Sequence, residues 1–330
     1  MTPFSPATAL AVEADGLVKV FGEQRAVDGV HLAVPRGSVY GVLGPNGAGK
    51  TTTIRMLATL LRPDAGSGRI FGHDVVTEPT AVRSLIGVTG QYASVDEDLT
   101  AAENLFIFSR LHGLSRIDAR RRAAELLEEF DLTEAANKPL RNFSGGMRRR
   151  LDLAASLIAT PPLLFLDEPT TGLDPRTRAQ VWETIRRLVR AGTTVLLTTQ
   201  YLDEADQLAD RIAVIDRGKV IADGTADELK ASIGGSSLHL ALADRGQLTE
   251  ARRIVSDFLG VAAQITPEAG RLTAPLPDAG ITTDLLIRLR ERSIEIEEIT
   301  VHKPSLDEVF LTITGHQAED DTNKPDLIPA

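Results

Sequence analysis

Apolar residues fall along the chain in two rhythms. Short unbroken runs occur at residues 39–43 (Val-Tyr-Gly-Val-Leu), 163–166 (Leu-Leu-Phe-Leu), 194–197 (Thr-Val-Leu-Leu) and 212–215 (Ile-Ala-Val-Ile). Each is bounded by Gly, Pro or charge, as a strand buried on both faces of a mostly parallel sheet should be. Helical periodicity separates these runs, so the first 230 residues read as an α/β core. Ahead of them, residues 10–34 alternate and are broken at Asp15-Gly16, Gly22 and Asp28-Gly29. That pattern predicts a small antiparallel sheet.

From about residue 100 to 159 the period turns helical. Thr100-Ala-Ala-Glu103 is a capping box, in which hydroxyl and carboxylate satisfy reciprocal backbone donors. Residues 115–130 place Ala123, Leu127 and Phe130 on one face and Arg120, Arg121 and Glu128 elsewhere. The block reads as a helical subdomain inserted into the α/β core. After Gly234-Gly-Ser-Ser237 the composition changes. Strands are expected at 238–243, 261–265, 271–276 and 294–301, with helices at 248–258 and 282–290. The order β-α-β-β-α-β is that of a ferredoxin-like unit. A short helix, 305–312, follows Pro304, and Leu306, Val309 and Phe310 form its apolar face. The tail from Gln317 has the polar, acidic composition of a disordered segment.

Composition narrows the classes. With 42% hydrophobic and 25% charged residues, the 330-residue chain is globular in make-up. It has no cysteine, which excludes disulfides, thiolate zinc sites, iron–sulfur clusters and thiol catalysis. A formal net charge of −10 and 4% aromatics argue against a nucleic-acid partner. No run of about 18 apolar residues is present, and the N-terminus lacks the basic and apolar regions of a signal peptide. Work at a membrane would therefore require another chain to hold this one there.

The chemistry begins at Gly44-Pro45-Asn46-Gly47-Ala48-Gly49-Lys50-Thr51, a P-loop between a strand and the helical segment 52–61. Glycines let backbone N–H groups curl around phosphate, Lys50 reaches the β- and γ-phosphates, and the Thr51 hydroxyl can ligate Mg²⁺. Asp167 emerges at the carboxyl end of the 163–166 run and can hold Mg²⁺ directly or through water. Glu168 follows at once, placed to polarise a water as general base. Alone, this pair could be an acidic strand end beside a turn; the P-loop gives it meaning.

Three further motifs narrow an NTPase to a class. Ser144-Gly145-Gly146-Met147 precedes a helix; Ser144 can cap it and the glycines leave N–H groups open to an anion. Gln91 ends the strand 86–89 and can ligate Mg²⁺. Gly172-Leu-Asp174-Pro175 follows the acidic pair. The arginine runs Arg120–Arg122 and Arg148–Arg150 read either as solvated helix faces or, for the second, as electrostatic support beside a phosphate.

The order P-loop, Gln91, Ser144-Gly145-Gly146, Asp167-Glu168, Asp174 resembles the ATPase domain of ABC transporters over roughly residues 8–230. The segments 89–97, 144–150, 198–206 and 304–311 resemble the (DrrA-like) ATPase subunits of daunorubicin/doxorubicin-resistance exporters. The resemblance implies a P-loop ABC ATPase core (9–233), with an antiparallel β subdomain and a helical subdomain at about 92–160. A tail at 1–8, a C-terminal α+β regulatory or assembly domain at 234–315, and a disordered acidic tail at 316–330 complete the expected organisation. It further implies ATP and Mg²⁺ as cofactors, Phe21 stacking on adenine, and Gln91 as the Q-loop. Ser144 to Met147 would be the signature motif, and Asp174 the D-loop. Two ATPs would lie in a head-to-tail homodimer, with Ser144, Gly145 and Gly146 of one subunit capping the γ-phosphate of the other. A separate transmembrane permease would anchor the subunit at the cytoplasmic face of the cell membrane for export of a small molecule, a drug or antibiotic such as an anthracycline. Two positions depart from the pattern: Met147 stands where Gln is usual, and Gln200 where the switch His is usual. An amide at 200 can sense a γ-phosphate but cannot act as acid or base. The competing classes are a soluble ABC ATPase uncoupled from transport and a regulatory module with a dead site. The single set of motifs argues against the first, and the presence of Lys50, Thr51, Asp167 and Glu168 against the second.

Overall fold

The computed structural model describes residues 9–89, 95–266, 271–276 and 279–315. They divide into two compact units between Ala226 and Asp227.

The first unit opens with a long hairpin, β1 (Leu10–Phe21) and β2 (Gln24–Pro35), followed by β3 (Val39–Leu43) and α1 (Lys50–Leu57). Then come β4 (Ala65–Ile70), β5 (His73–Asp74), α2 (Pro79–Leu85) and β6 (Ile86–Thr89). The helical block holds α3 (Ala101–Leu111), α4 (Arg116–Glu129) and α5 (Gly145–Ser156). The chain returns through β7 (Leu163–Asp167), α6 (Pro175–Arg190), β8 (Thr194–Thr199), α7 (Leu202–Leu208), β9 (Arg211–Asp216) and β10 (Lys219–Gly224).

Two sheets result. The larger has strand order β10-β9-β3-β8-β7-β6 and is parallel except for the β9–β10 hairpin. The smaller is antiparallel, in order β2-β1-β4-β5. The period of two explains why β7 reads as an unbroken apolar run. Leu164 and Leu166 face one core together with Leu105, Leu126, Leu153 and Ile185 of the helices. Leu163 and Phe165 face a second core with Val12, Val30, Met56 and Leu57, where α1 and the antiparallel sheet pack. Both faces are covered, so every position of the strand before Asp167, its last residue, is apolar.

The expected α/β architecture with an antiparallel and a helical subdomain is what the chain forms. The capping box at α3 is complete: Glu103 N–H donates to Thr100 Oγ1 at 3.2 Å, and Thr100 N–H to Glu103 Oε2 at 2.8 Å. Two details differ. Of the three breaks in residues 10–34, only Gly22 turns the chain. Gly16 lies within β1 at a register shift, because a residue at φ 62° can make a bulge without ending the pairing. The helix after the P-loop stops at Leu57, because Thr59 is left-handed at φ 61° and its hydroxyl accepts from Arg83 Nε at 2.8 Å.

α8 (Ala226–Ser232) begins at the division between units. The second unit contains β11 (Ser236–Leu242), α9 (Leu248–Leu259), β12 (Gln264–Thr266), β13 (Arg271–Leu276), α10 (Thr282–Glu291), β14 (Ile296–His302) and α11 (Leu306–Thr314). Its sheet order, β12-β13-β11-β14 with every pair antiparallel, is the ferredoxin-like arrangement. Ala251, Val255, Leu285 and Leu289 of α9 and α10 pack with Leu238, Leu240, Leu272 and Ala274 of the sheet. The apolar face of α11 (Leu306, Val309, Phe310) is buried within the single chain.

Candidate active site

The carboxyl ends of β3, β7 and β8 meet at one edge of the parallel sheet, where Asp167 is in register with Thr198 and Leu43 with Thr199. The loop leaving β3 curls back over this edge. Gly44 N–H donates to Thr199 O at 3.2 Å and Ala48 N–H to Pro45 O at 3.2 Å. Gly49 precedes α1 at φ 104°, and a Cβ there would lie 2.4 Å from Ala26 O, so the cradle admits no side chain at that point. Phe21, at the tip of the hairpin, joins Pro45 to Thr52 and Glu168 around a cavity of 330 Å³.

Lys50 is buried, and its ammonium donates to Gly44 O at 2.7 Å and Pro45 O at 3.1 Å. Its Nζ also lies 3.4 Å from Glu168 Oε1, both side chains being less than a tenth exposed. Asp167 Oδ1 accepts two hydroxyls, Thr51 Oγ1 at 3.0 Å and Thr198 Oγ1 at 2.6 Å. An aspartate and a threonine hydroxyl so placed are hard oxygen donors suited to Mg²⁺. Glu168 itself is left-handed, at φ 48°. Its N–H is shared between Thr198 O at 3.2 Å and Thr198 Oγ1 at 3.1 Å, and its Oε2 accepts from Thr171 Oγ1 at 3.3 Å. Thr198 was not singled out in the sequence, although a Thr-Thr pair closing an aliphatic strand is a visible signal.

Other expected site residues lie apart from the cavity. Ser144 caps α5, accepting from Met147 N–H at 3.3 Å, and with Gly145 is exposed. Met147 packs its side chain on the helical core, which accounts for an apolar residue in place of Gln. Asp174 caps α6, accepting from Thr177 N–H at 3.0 Å and Thr177 Oγ1 at 2.7 Å. These hydrogen bonds hold its carboxyl below the usual carboxylate range, the side-chain bond from Thr177 foremost. Gln200 follows β8 directly, half-buried, and does not line the cavity. Gln91 lies outside the described residues. Arg148 pairs with Glu97 at 2.6 Å and Arg150 donates to Phe130 O at 3.2 Å, while Arg149 is buried against main-chain carbonyls.

Behind Gln200, Glu204 of α7 is fully buried. Its Oε1 accepts from Thr170 Oγ1 at 2.8 Å and Trp182 Nε1 at 3.0 Å. Burial pushes this carboxyl up, against the opposing effect of hydrogen bonds from Thr199, Thr170 and Trp182. Among the described residues no helix is long and apolar enough to cross a membrane.

Comparison with known proteins agrees with this geometry. Residues 27–171 match the family model "ABC transporter", and residues 224–314 match "ATP-binding protein DrrA1-3-like, C-terminal domain". The chain is 59% identical to a daunorubicin/doxorubicin resistance ATP-binding protein of Streptomyces peucetius, over 94% of each chain. It is 35% identical to a linearmycin resistance ATP-binding protein of Bacillus subtilis, over 94% of this chain and 100% of that one. Among solved structures, an ATP-binding subunit of an ABC transporter matches with TM-score 0.61 and 30% identity, covering 68% of this chain and 93% of the other. A dimeric ATP-binding cassette in a post-hydrolysis state with ADP and Pi matches with TM-score 0.59 and 27% identity, over 65% and 98%. The chain belongs to the ATP-binding subunits of ABC transporters, in the group with the daunorubicin/doxorubicin-resistance ATPases.

Proposed function

We propose that this subunit binds ATP with Mg²⁺ in the cavity under Phe21 and hydrolyses it to drive export of a small molecule, a drug or antibiotic such as an anthracycline, through a separate permease. The observation that carries the reading is the convergence of Lys50, Thr51, Asp167 and Glu168 on one sheet edge. The backbone N–H groups of residues 44–52 cradle the phosphates. The Lys50 ammonium exchanges its carbonyl acceptors for β- and γ-phosphate oxygens. Thr51 and Asp167 would hold the metal, which would supply charge neutralisation, with Gln91 as a further ligand. The Glu168 carboxylate accepts a proton from water as the water oxygen attacks the γ-phosphorus and the bond to ADP breaks. Phe21 stacks on the base, and Gln200 reads the presence of the γ-phosphate as a hydrogen-bonding amide.

The exposed Ser144-Gly145 segment and Asp174 fit a head-to-tail homodimer, in which they complete the partner's site. The name of the S. peucetius relative supports the drug class, and the absence of a spanning helix among the described residues fits a peripheral subunit held at the cytoplasmic face by its permease. We assign residues 234–315 to regulation or assembly. The decisive variant is Glu168→Gln. It should keep ATP affinity while hydrolysis falls by roughly 10²–10⁴-fold. Near-normal turnover would remove Glu168 from this role. Recovery in membranes only on co-expression with a six-span permease tests the coupling to transport.

A further inference from the structure

We propose that Arg149 is a positioning residue for hydrolysis. From the helix that begins at Ser144-Gly145-Gly146 it holds both carbonyls that bracket Glu168, and so fixes where the Glu168 carboxylate points. The proposal rests on the reading of Glu168 as general base. Of three consecutive arginines, Arg149 alone is buried, at 9% exposure. On α5 it shares a face with Gly146 and Leu153, three and four residues away and both buried, so its side chain is directed inward. Its Nε donates to Pro169 O at 2.8 Å and its Nη2 to Asp167 O at 3.1 Å. The residue between those carbonyls is Glu168.

Glu168 has a backbone that a non-glycine residue keeps only when its surroundings enforce it, φ 48°. Two groups of bonds do so. From the β8 side, Thr198 accepts the Glu168 N–H. From the α5 side, the guanidinium holds the carbonyl of the peptide unit that enters Glu168 and the carbonyl of Pro169, one residue beyond it. A planar fork with fixed donors can hold two carbonyls at once; an ammonium is a point donor on a flexible stem. Released, the backbone at 168 would relax toward negative φ and swing the carboxylate away from Lys50. The arrangement also links two places in one subunit. A shift of the exposed Ser144-Gly145 end of α5 is carried by Arg149 to the main chain of the general base.

The test uses the full-length chain with R149M, R149K, E168Q and R149M/E168Q, measuring steady-state and single-turnover ATP hydrolysis and ATP affinity. R149M should lower kcat by about 10²-fold, as misplacement of a catalytic group does, with KM and ATP affinity nearly unchanged. R149K should retain more activity than R149M and less than wild type. In the E168Q background R149M should add little further loss, since both act through one group. Wild-type kcat in R149M, a loss shared equally by KM and affinity, or a full second loss on E168Q would each overturn the proposal. If R149M does not fold, R149K decides: wild-type kcat there overturns the need for the fork. Normal turnover by E168Q would instead show that the general-base reading has failed, whatever Arg149 does.

Discussion

Gly146 offers a sharp test of how the signature segment is tied to the rest of the subunit. A Cβ built on Gly146 would lie 2.1 Å from Thr177 Cγ2, and 3.2 Å from Thr177 Cβ and Oγ1. Thr177 is not free to turn away. Its Oγ1 donates to Asp174 Oδ2 at 2.7 Å, part of the cap of α6. Rotating the methyl out of the way would carry the hydroxyl off the carboxylate; keeping the hydroxyl forces α5 and α6 apart. Gly146→Ala should therefore destabilise by about 1–3 kcal/mol, the usual range for an added methyl in a packed contact. For a unit of this size that is a Tm decrease of roughly 2–10 °C by thermal melting. The reasoning makes a stronger claim through a second variant. Thr177→Ser removes the methyl at 2.1 Å and keeps the hydroxyl, leaving contacts at 3.2 Å that small adjustments relieve. Gly146→Ala/Thr177→Ser should then recover most of the lost Tm, although Thr177→Ser alone gains nothing. Neither residue lines the nucleotide cavity of its own subunit, so ATP affinity of the single subunit should hold throughout. A wild-type Tm for Gly146→Ala, or a double variant no more stable than Gly146→Ala, refutes the argument.

Gln200→Ala should reduce ATP turnover while binding persists, and Gln200→His should stay active with a new titration near pH ~6.5 in its rate profile; unchanged turnover in Gln200→Ala removes its sensing role. Glu204 has a carboxyl raised by burial, so its contribution to stability is full below the free carboxylate pKa and is lost as pH rises through the folded value. Glu204→Gln cannot ionise, so its Tm relative to wild type should climb as pH rises above the free carboxylate pKa; a difference that does not vary with pH would contradict that sign. Truncation after residue 230 should leave a folded core that binds ATP, because every residue lining the cavity precedes that point; isothermal titration of the fragment checks it.

What could be read from the sequence follows the physics that shapes each feature. Strands β3, β7, β8 and β9 are covered on both faces, and that condition writes an apolar run into the chain. The P-loop is legible because close backbone approach demands glycine, and Gly49 could be nothing else. The ferredoxin-like unit is legible because each of its elements buries one face, at period two or 3.6. The turns were harder, since an Asp-Gly pair serves a reversal and a bulge alike. Only the partner strand, still paired beyond Gly16 across the register shift, decides between them.

The left-handed backbone of Glu168 leaves no local trace, because nothing in Asp-Glu-Pro selects positive φ. It is imposed by Thr198 from one strand and Arg149 from a distant helix. For the same reason Arg149 was hidden in a run of three. Charge runs favour solvent in general, and the run by itself does not say which member faces inward. The spacing to Gly146 and Leu153 was the available signal, and it acquires meaning only when the helix face is known. The residues most closely bound to the chemistry are thus the ones whose conformation is fixed by tertiary contacts rather than by their neighbours in sequence. Substitutions that spare the motifs but alter Thr198 or Arg149 should therefore impair turnover with all the recognisable motifs intact.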